Sequence, residues 1–434
     1  HHSVKPQPRE QLPPPAPLGL IGIKHHHIEA AVGQAKPVQA QIAESGLEPV
    51  DKGGRAVGSG KMDDEQTALP GVALAGRRGS IVALDPWTGE ILALVSAPTF
   101  DPNLFAVGMS TAQFNALQNN LDRPLFNRAV TGAYPPGSTI KPMLALAALE
   151  NGATTLTRTS FCRGYFQLPG NEHRYRDWKP EGHGLIDIRE AISQSCDVYF
   201  YEVSVDLGID AIHDYLDRFG LGTRSGIDIG GESKGLVPSR EWKRTAFSNR
   251  DDQRWYHGET VIASIGQGYM LATPLQLAVA GGTLATRGEH YRPHIVSAIE
   301  DPLTGERRLV QPERLPDVEI SNEAHWDTVI GGMHDVLQGA RGTARAVGMG
   351  APYQMAGKSG TAQVISIAQD EKYDEMELEE RQRDHALFIA FAPLDNPRIA
   401  VALIVENGES GSGVAAPIAR SIMDAYLGYG DDAP

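Results

Sequence analysis

From about residue 76 the chain alternates short apolar runs with turn residues. Ser80-Ile81-Val82-Ala83-Leu84, then Asp85-Pro86-Trp87-Thr88-Gly89, then Glu90-Ile91-Leu92-Ala93-Leu94-Val95-Ser96 predicts a β-hairpin with a glycine-containing turn. Both strands are mostly apolar, so both sheet faces should be covered. Near the other end, 387–392 and 398–405 are two further apolar runs that should pair across Pro393–Pro397, preceded by a strand-like 353–362. Between them the period is helical. A weak helix is expected at 111–119, a nearly all-apolar one from Met143 to Leu149 with Gly152 as C-cap, and others over 187–205, with Ser195 near its middle or at a break, 210–219 closed by Gly220, 323–338 and about 414–427. Thr273-Pro274-Leu275-Gln276 opens one more, with Thr as N-cap and Pro at N1. Strands early and late around a helical middle imply an α/β (α+β) fold: an antiparallel sheet built from both chain ends, helices on its two faces, and a helical subdomain to one side. Residues 164–184 form a loop-rich insert. Residues 1–75, with Pro13-Pro14-Pro15, His25-His26-His27 and Lys52-Gly53-Gly54, sustain no period.

Composition narrows the classes without choosing among them. The 434 residues are 41% hydrophobic and 21% charged, as in ordinary globular proteins, and the net charge is −15 with no basic stripe, which argues against nucleic acid. No run reaches the roughly 18 apolar residues of a membrane span, and no signal peptide is visible.

The candidate chemistry lies at three places. Tyr134-Pro135-Pro136-Gly137-Ser138-Thr139-Ile140-Lys141-Pro142 sets a serine hydroxyl and a lysine amine three residues apart at a helix start. A lysine in an apolar surround can take the serine's proton, and the helix N-terminus favours the developing negative charge. Ser-x-x-Lys alone is better explained by a capping serine and a solvated lysine. Two further motifs in order reverse that balance: Ser195-Cys196-Asp197, and Lys358-Ser359-Gly360-Thr361.

With Arg174-Tyr175-Arg176-Asp177-Trp178-Lys179, Gly266-Gln267-Gly268-Tyr269 and Arg383-Asp384-His385, these segments resemble the class B penicillin-binding proteins over roughly residues 76–430. Within that family they resemble the penicillin-binding protein 2 subgroup of the rod-shape elongation machinery, and Ser-x-Asp as second motif is consistent with it. The resemblance implies the penicillin-binding/serine β-lactamase-like fold, with a five-stranded antiparallel sheet, and a transpeptidase domain over 76–434. Residues 1–75 would be an incomplete or partly disordered, pedestal-like N-terminal region. It implies a DD-transpeptidase that cross-links peptidoglycan stem peptides, is acylated by β-lactams, and acts in cell elongation without a catalytic cofactor. Ser138 would be the nucleophile, Lys141 its base, Ser195 a proton relay and Asp197 an orienting group. Lys358 would supply positive potential. Ser359, Gly360 and Thr361 would receive the substrate carboxylate, with the backbone N–H groups of Ser138 and Thr361 as oxyanion hole. A SEDS glycosyltransferase (RodA) and MreC are the implied partners. The implied location is the bacterial inner membrane, through a single N-terminal anchor absent from this chain, with the catalytic domain in the periplasm.

A serine β-lactamase shares the three motifs, but no Glu-x-x-Leu-Asn segment occurs between Ser195 and Lys358. A non-catalytic β-lactam sensor is a different class of answer, and no His-Glu-x-x-His of a sensor's protease domain is present. A carboxypeptidase would use the same acylation residues. Finally, the two cysteines, Cys162 and Cys196, bracket Asp177 and His183. Those four suit a tetrahedral structural zinc. A Cys162–Cys196 disulfide, natural in an oxidising compartment, and two free thiols are the alternatives.

Overall fold

The computed structural model describes residues 73–74, 76–364 and 379–430. The expected N-terminal region therefore lies almost wholly outside the described residues, as do residues 370–378 of the acidic stretch from Asp370 to Glu380, for which the sequence predicts a solvated helix or loop.

The five-stranded antiparallel sheet is present, assembled from both chain ends. Its strands are β1 (Gly79–Leu84), β2 (Ile91–Ala97), β3 (Ala356–Ala362), β4 (His385–Ala392) and β5 (Ile399–Val405), in the order β3-β4-β5-β1-β2. The expected hairpins form: Val82 faces Leu94, and Ile389 faces Ala402. Strand periodicity then divides the side chains between two cores. In β5, Ile399, Val401, Leu403 and Val405 enter one core, and Ala400, Ala402 and Ile404 the other.

The alanines at 400 and 402 leave room for a helix to lie close against the sheet. That helix is α5 (Pro274–Ala285), buried along its whole length and opened by the expected Thr273 cap. Before it in the chain come α1 (Lys141–Glu150), α2 (Ile188–Ser193), α3 (Asp197–Leu207) and α4 (Ile209–Arg218), which form the helical subdomain on the α5 side. Two more follow: α6 (Glu323–Gln338), which passes beside β3, and α7 (Ala416–Leu427), which covers the opposite face with Ile418, Ala419, Ile422 and Met423.

α1 is buried from Lys141 to Leu149. It is the centre of the subdomain, and Leu144→Ala there would cost about 2–5 kcal/mol. Three sequence expectations shift. Ser138 is not inside the α-helix but on a preceding 3₁₀ turn, Gly137–Ile140, because Pro142 has no N–H to bond back to Ser138. Asn151, not Gly152, is the C-cap; Gly152 follows it at φ 71, the left-handed position that glycine takes at low cost. The 187–205 helix breaks at Ser195 into α2 and α3. The insert holds two short ladders, 160–162 with 184–186 and 165–167 with 174–176, where loops were expected. Three-residue strands are too short to show alternation in sequence.

Candidate active site

The three motifs meet in one buried cluster: the first opens α1, the second joins α2 to α3, and the third lies within β3. The Ser138 turn is held against β3 by close backbone approach. Gly137, at φ 55, donates its N–H to Gly266 O at 3.0 Å. A Cβ at Gly360 would stand 2.8 Å from Thr139 Cγ2 and 2.9 Å from Pro136 O, so glycine is what lets strand and turn touch. Gln267 Nε2 donates to Thr361 O at 3.0 Å and ties the same strand to the 266–268 loop.

Ser195 follows α2 in a left-handed conformation, φ 55, that non-glycine residues adopt at a cost of about 1–3 kcal/mol. The turn sets its hydroxyl between two lysine amines: Lys141 Nζ lies 3.3 Å from Ser195 Oγ and Lys358 Nζ 2.9 Å from it. Both lysines are fully buried. Lys141 also donates to Ser195 O at 2.8 Å and Asp197 Oδ1 at 2.7 Å; Lys358 donates to Ser359 O at 2.8 Å. Burial pushes the Lys358 amine well below the usual lysine value, and the Lys141 charge pushes it the same way. Burial raises the Asp197 carboxyl, although the Lys141 charge opposes this. Among the described residues no hydrogen bond joins Ser138 Oγ to Lys141. Thr361 is exposed at the open edge of β3, while Ser359 and Gly360 are buried beside it.

The four candidate metal ligands also converge. Cys162, Asp177, His183 and Cys196 each present a donor atom within 4.8 Å of the others. Asp177 Oδ2 accepts from Cys162 Sγ at 3.4 Å and Cys196 Sγ at 3.3 Å, and His183 Nδ1 is 3.5 Å from Cys162 Sγ. The same Oδ2 accepts the Asp197 and Val198 N–H groups at 2.8 and 3.1 Å, so Asp177 caps α3. Both cysteines are free thiols here. Hydrogen bonds from Cys196 and His183 pull Cys162 down to about 5, while the shared proton and burial push Cys196 up.

Three residues essential to this geometry carried no motif. Thr343 bridges the two sides of the site: its hydroxyl is 3.2 Å from Ser359 Oγ and its N–H donates to Ser193 O at 3.2 Å. Glu406, just past β5, accepts from Tyr134 Oη at 2.7 Å and from Arg128 Nε at 2.8 Å. Arg128 and Glu406 are 278 positions apart, beyond any local pattern. Only the Gly-x-Gly at 266–268, with both glycines at φ 70, left a trace in sequence.

This arrangement of two buried amines about one serine, at the foot of a second serine's helix, agrees with a family match. Residues 79–424 match the penicillin binding protein transpeptidase domain.

The chain belongs to the class B penicillin-binding protein transpeptidase family.

Within the family, peptidoglycan D,D-transpeptidase MrdA of Acinetobacter baumannii is 48% identical over 359 residues, covering 82% of this chain and 51% of that protein. MrdA of Escherichia coli K12 is 43% identical over 361 residues, 83% of this chain and 56% of its own. Pseudomonas aeruginosa PBP2, solved with WCK 5153, superposes with a TM-score of 0.74 at 48% identity, covering 84% of this chain and 74% of that one. Helicobacter pylori PBP2, solved with MreC, superposes with a TM-score of 0.72 at 29% identity, covering 88% and 69%. The chain spans about half the length of the curated relatives it matches. The fold implied by the sequence resemblance is that of this transpeptidase family.

Proposed function

We propose that the chain is the catalytic part of a peptidoglycan DD-transpeptidase, a β-lactam target that acts in cell elongation and rod-shape maintenance. The observation that carries the reading is the placement of the Ser195 hydroxyl between the Lys141 and Lys358 amines, with Ser138 on the turn that leads into Lys141. Ser138 Oγ attacks the carbonyl of the penultimate D-alanine of a stem peptide, and its proton passes to Lys141. Asp197 orients that amine. The oxyanion is met by the backbone N–H groups of Ser138 and Thr361. Ser195 then hands a proton to the departing D-alanine amine, and the ester on Ser138 is resolved by the amine of a neighbouring stem. Lys358, Ser359 and Thr361 receive the substrate's terminal carboxylate, and Gly360 keeps β3 close to the turn. The SEDS glycosyltransferase RodA and MreC are the proposed partners. The proposed location is the periplasmic face of the inner membrane; no helix among the described residues is long and apolar enough to cross a membrane. Residues 1–75 are assigned to a pedestal-like N-terminal region.

Intact mass after brief exposure to benzylpenicillin tests this reading, with Ser138→Ala alongside. One stable penicilloyl adduct on the parent and none on the variant is expected. Rapid drug hydrolysis without an adduct would instead make the protein a lactamase. Failure to turn over stem peptide despite an adduct would make it a sensor.

We infer further that Cys162, Asp177, His183 and Cys196 hold a structural zinc. Tetrahedral zinc with sulfur and nitrogen ligands sets donor atoms about 3.3–3.8 Å apart. Three contacts, Cys162–Asp177, Cys196–Asp177 and Cys162–His183, at 3.3–3.5 Å, lie in that range, within a cluster whose donor atoms all lie within 4.8 Å of one another. The ion would pin the insert to the Ser195 turn and, with four protein ligands, leave no open position for substrate. Metal analysis should give about one equivalent of zinc, and less than about a tenth would remove the inference.

A further inference from the structure

The insert carries a second polar cleft of about 620 Å³ that the proposed reaction does not use. Its floor is the two-stranded ladder in which Tyr165 faces Arg176, Phe166 faces Tyr175 and Gln167 faces Arg174. Alternation divides this ribbon cleanly. Phe166 and Tyr175 pack with Tyr201 of α3, the ring centroids 6.0–6.3 Å apart. Tyr165, Gln167, Arg174 and Arg176 line the cleft. The ribbon is fastened to the catalytic cluster: Tyr201 Oη donates to Arg176 O at 3.1 Å, and the Trp178 N–H, two residues on, donates to Asp197 Oδ2 at 3.0 Å.

The Tyr165 ring, which lines the cleft together with Arg174, is flanked by two guanidinium groups: Arg174, and Arg163 beside the lining, each 4.6 Å from its centroid. Both arginines are exposed. Among the described residues neither forms an ion pair, although the chain carries 54 acidic against 39 basic residues and pairs arginines such as Arg240 and Arg314 with carboxylates. Two acidic residues also line the cleft. Asp177 is committed to α3 and the thiols, and Glu172 pairs with neither arginine. The ring attracts both cations, and gathering two like charges around it leaves a positive spot that no carboxylate ion-pairs among the described residues. A guanidinium fork matches a carboxylate better than any other common anion of a peptide. The volume lies in the ordinary range of a ligand site.

We propose that this cleft binds an acidic peptide through its free carboxylates, with Arg163 and Arg174 as the recognising groups. Taken with the transpeptidase reading, on which this identification of the peptide rests, the ligand is the carboxylate-bearing part of a stem peptide away from its D-alanine end. The subsite thus selects for the charge state of the stem.

The test is direct binding to the Ser138→Ala protein, which cannot be acylated, so the result does not depend on turnover. The probe is a synthetic pentapeptide ending in D-Ala–D-Ala with two free carboxylates besides its terminus, compared with its bis-amide. The acid should bind about tenfold more tightly than the amide. Adding Arg163→Ala and Arg174→Ala should abolish that preference and leave the amide's affinity unchanged. Both sites are exposed, so the thermal unfolding midpoint should stay within about 2 °C. Equal affinity for the two peptides, or equal weakening of both by the double substitution, would overturn the proposal. A charge preference in a protein whose parent takes no penicillin adduct would remove the transpeptidase reading and leave the cleft standing.

Discussion

Glu406 is a residue whose loss should cost stability more than chemistry. Its carboxylate accepts from Arg128 Nε at 2.8 Å, Arg128 Nη2 at 3.3 Å and Tyr134 Oη at 2.7 Å, and lies 3.5 Å from Arg78 Nε. Arg128 is 3% exposed and the Glu406 side chain 15%. Glu406→Gln keeps the shape, removes the charge, and turns one acceptor into a donor facing a guanidinium. Breaking a buried ion pair by neutralising one partner costs about 3–5 kcal/mol. Arg128 retains the carbonyl oxygens of Asp122 and Arg123, at 2.7 and 3.3 Å, which moderates the loss. The expected destabilisation at pH 7 is therefore about 2–3 kcal/mol by urea unfolding with an unchanged m-value. Tyr134→Phe removes a single charge-assisted hydrogen bond. In a double-substitution cycle the two changes should couple by about 1 kcal/mol, because they delete the same contact. The pH dependence has a definite sign. Burial works to raise the Glu406 carboxyl, but its hydrogen bonds with Arg128 and Tyr134 outweigh burial and hold it below its usual 4.5. The stability it contributes is complete above 4.5 and is lost as pH falls through the folded-state value. The gap between parent and Glu406→Gln should thus close in acid. The Tyr134 backbone exchanges hydrogen bonds with Ala272 and leads into the Ser138 turn, so penicillin acylation should also slow, by about three- to tenfold. A gap under about 0.5 kcal/mol at pH 7, or one that persists unchanged below pH 4.5, would refute the argument.

Three further outcomes can be checked with the same protein. Gly360→Val places a side chain 2.8 Å from Thr139 Cγ2 and 2.9 Å from Pro136 O, so stopped-flow penicillin acylation should fall by at least about 100-fold as strand and turn are forced apart. Lys358→Arg keeps a permanent charge where burial disfavours one, and acylation should drop about 100-fold or more; Lys358→Ala, which removes the amine, should fall similarly. Cys162→Ser should lower bound zinc well below one equivalent and lower the thermal midpoint by several degrees, measured by metal analysis and calorimetry.

Much of the site was legible because its chemistry is carried by short motifs whose elements are strongly patterned. The apolar run after Lys141 reads as a buried helix and the runs at 387–392 and 398–405 as paired strands, and the structure forms both, while the meeting of the three motifs is set by the tertiary fold. The four metal candidates were legible for a different reason: two cysteines in a chain with no others, each close in sequence or in the insert to a possible co-ligand. What escaped is what depends on distance or on small elements. The helices at 240–246 and 257–263 are seven residues each, too short to establish a period, and the insert ladders are three residues per strand. The partnership of Tyr134 with Glu406 spans 272 positions and has no local signature. In sequence Asp177 stands out as a ligand alone, whereas it also caps α3, a role that requires knowing that the insert folds back onto Ser195.

The two lysines of the site are not equivalent, and hydrogen-bond counting says how they differ. Lys141 Nζ reaches three acceptors, Ser195 O, Ser195 Oγ and Asp197 Oδ1, which uses every proton of an ammonium. Lys358 Nζ has one carbonyl, Ser359 O, and the Ser195 hydroxyl, with no carboxylate in reach among its hydrogen-bond partners. A neutral amine suits that pair: it donates once to the carbonyl and accepts the Ser195 O–H on its lone pair. Burial favours the same protonation state. The Ser195 hydroxyl then has one proton to give, toward Lys358, and one lone pair to receive, from Lys141. On the proposed roles this polarity matters. A carboxylate arriving beside Ser359 and Thr361 supplies the counter-charge that Lys358 lacks and stabilises its ammonium form. A proton moving from Lys141 through Ser195 to Lys358 would leave Lys141 neutral, as a base for Ser138 must be. Substrate binding at β3 would thereby prepare the nucleophile at the other side of the cluster, and Ser195, strained into place between the amines, is the group that connects them.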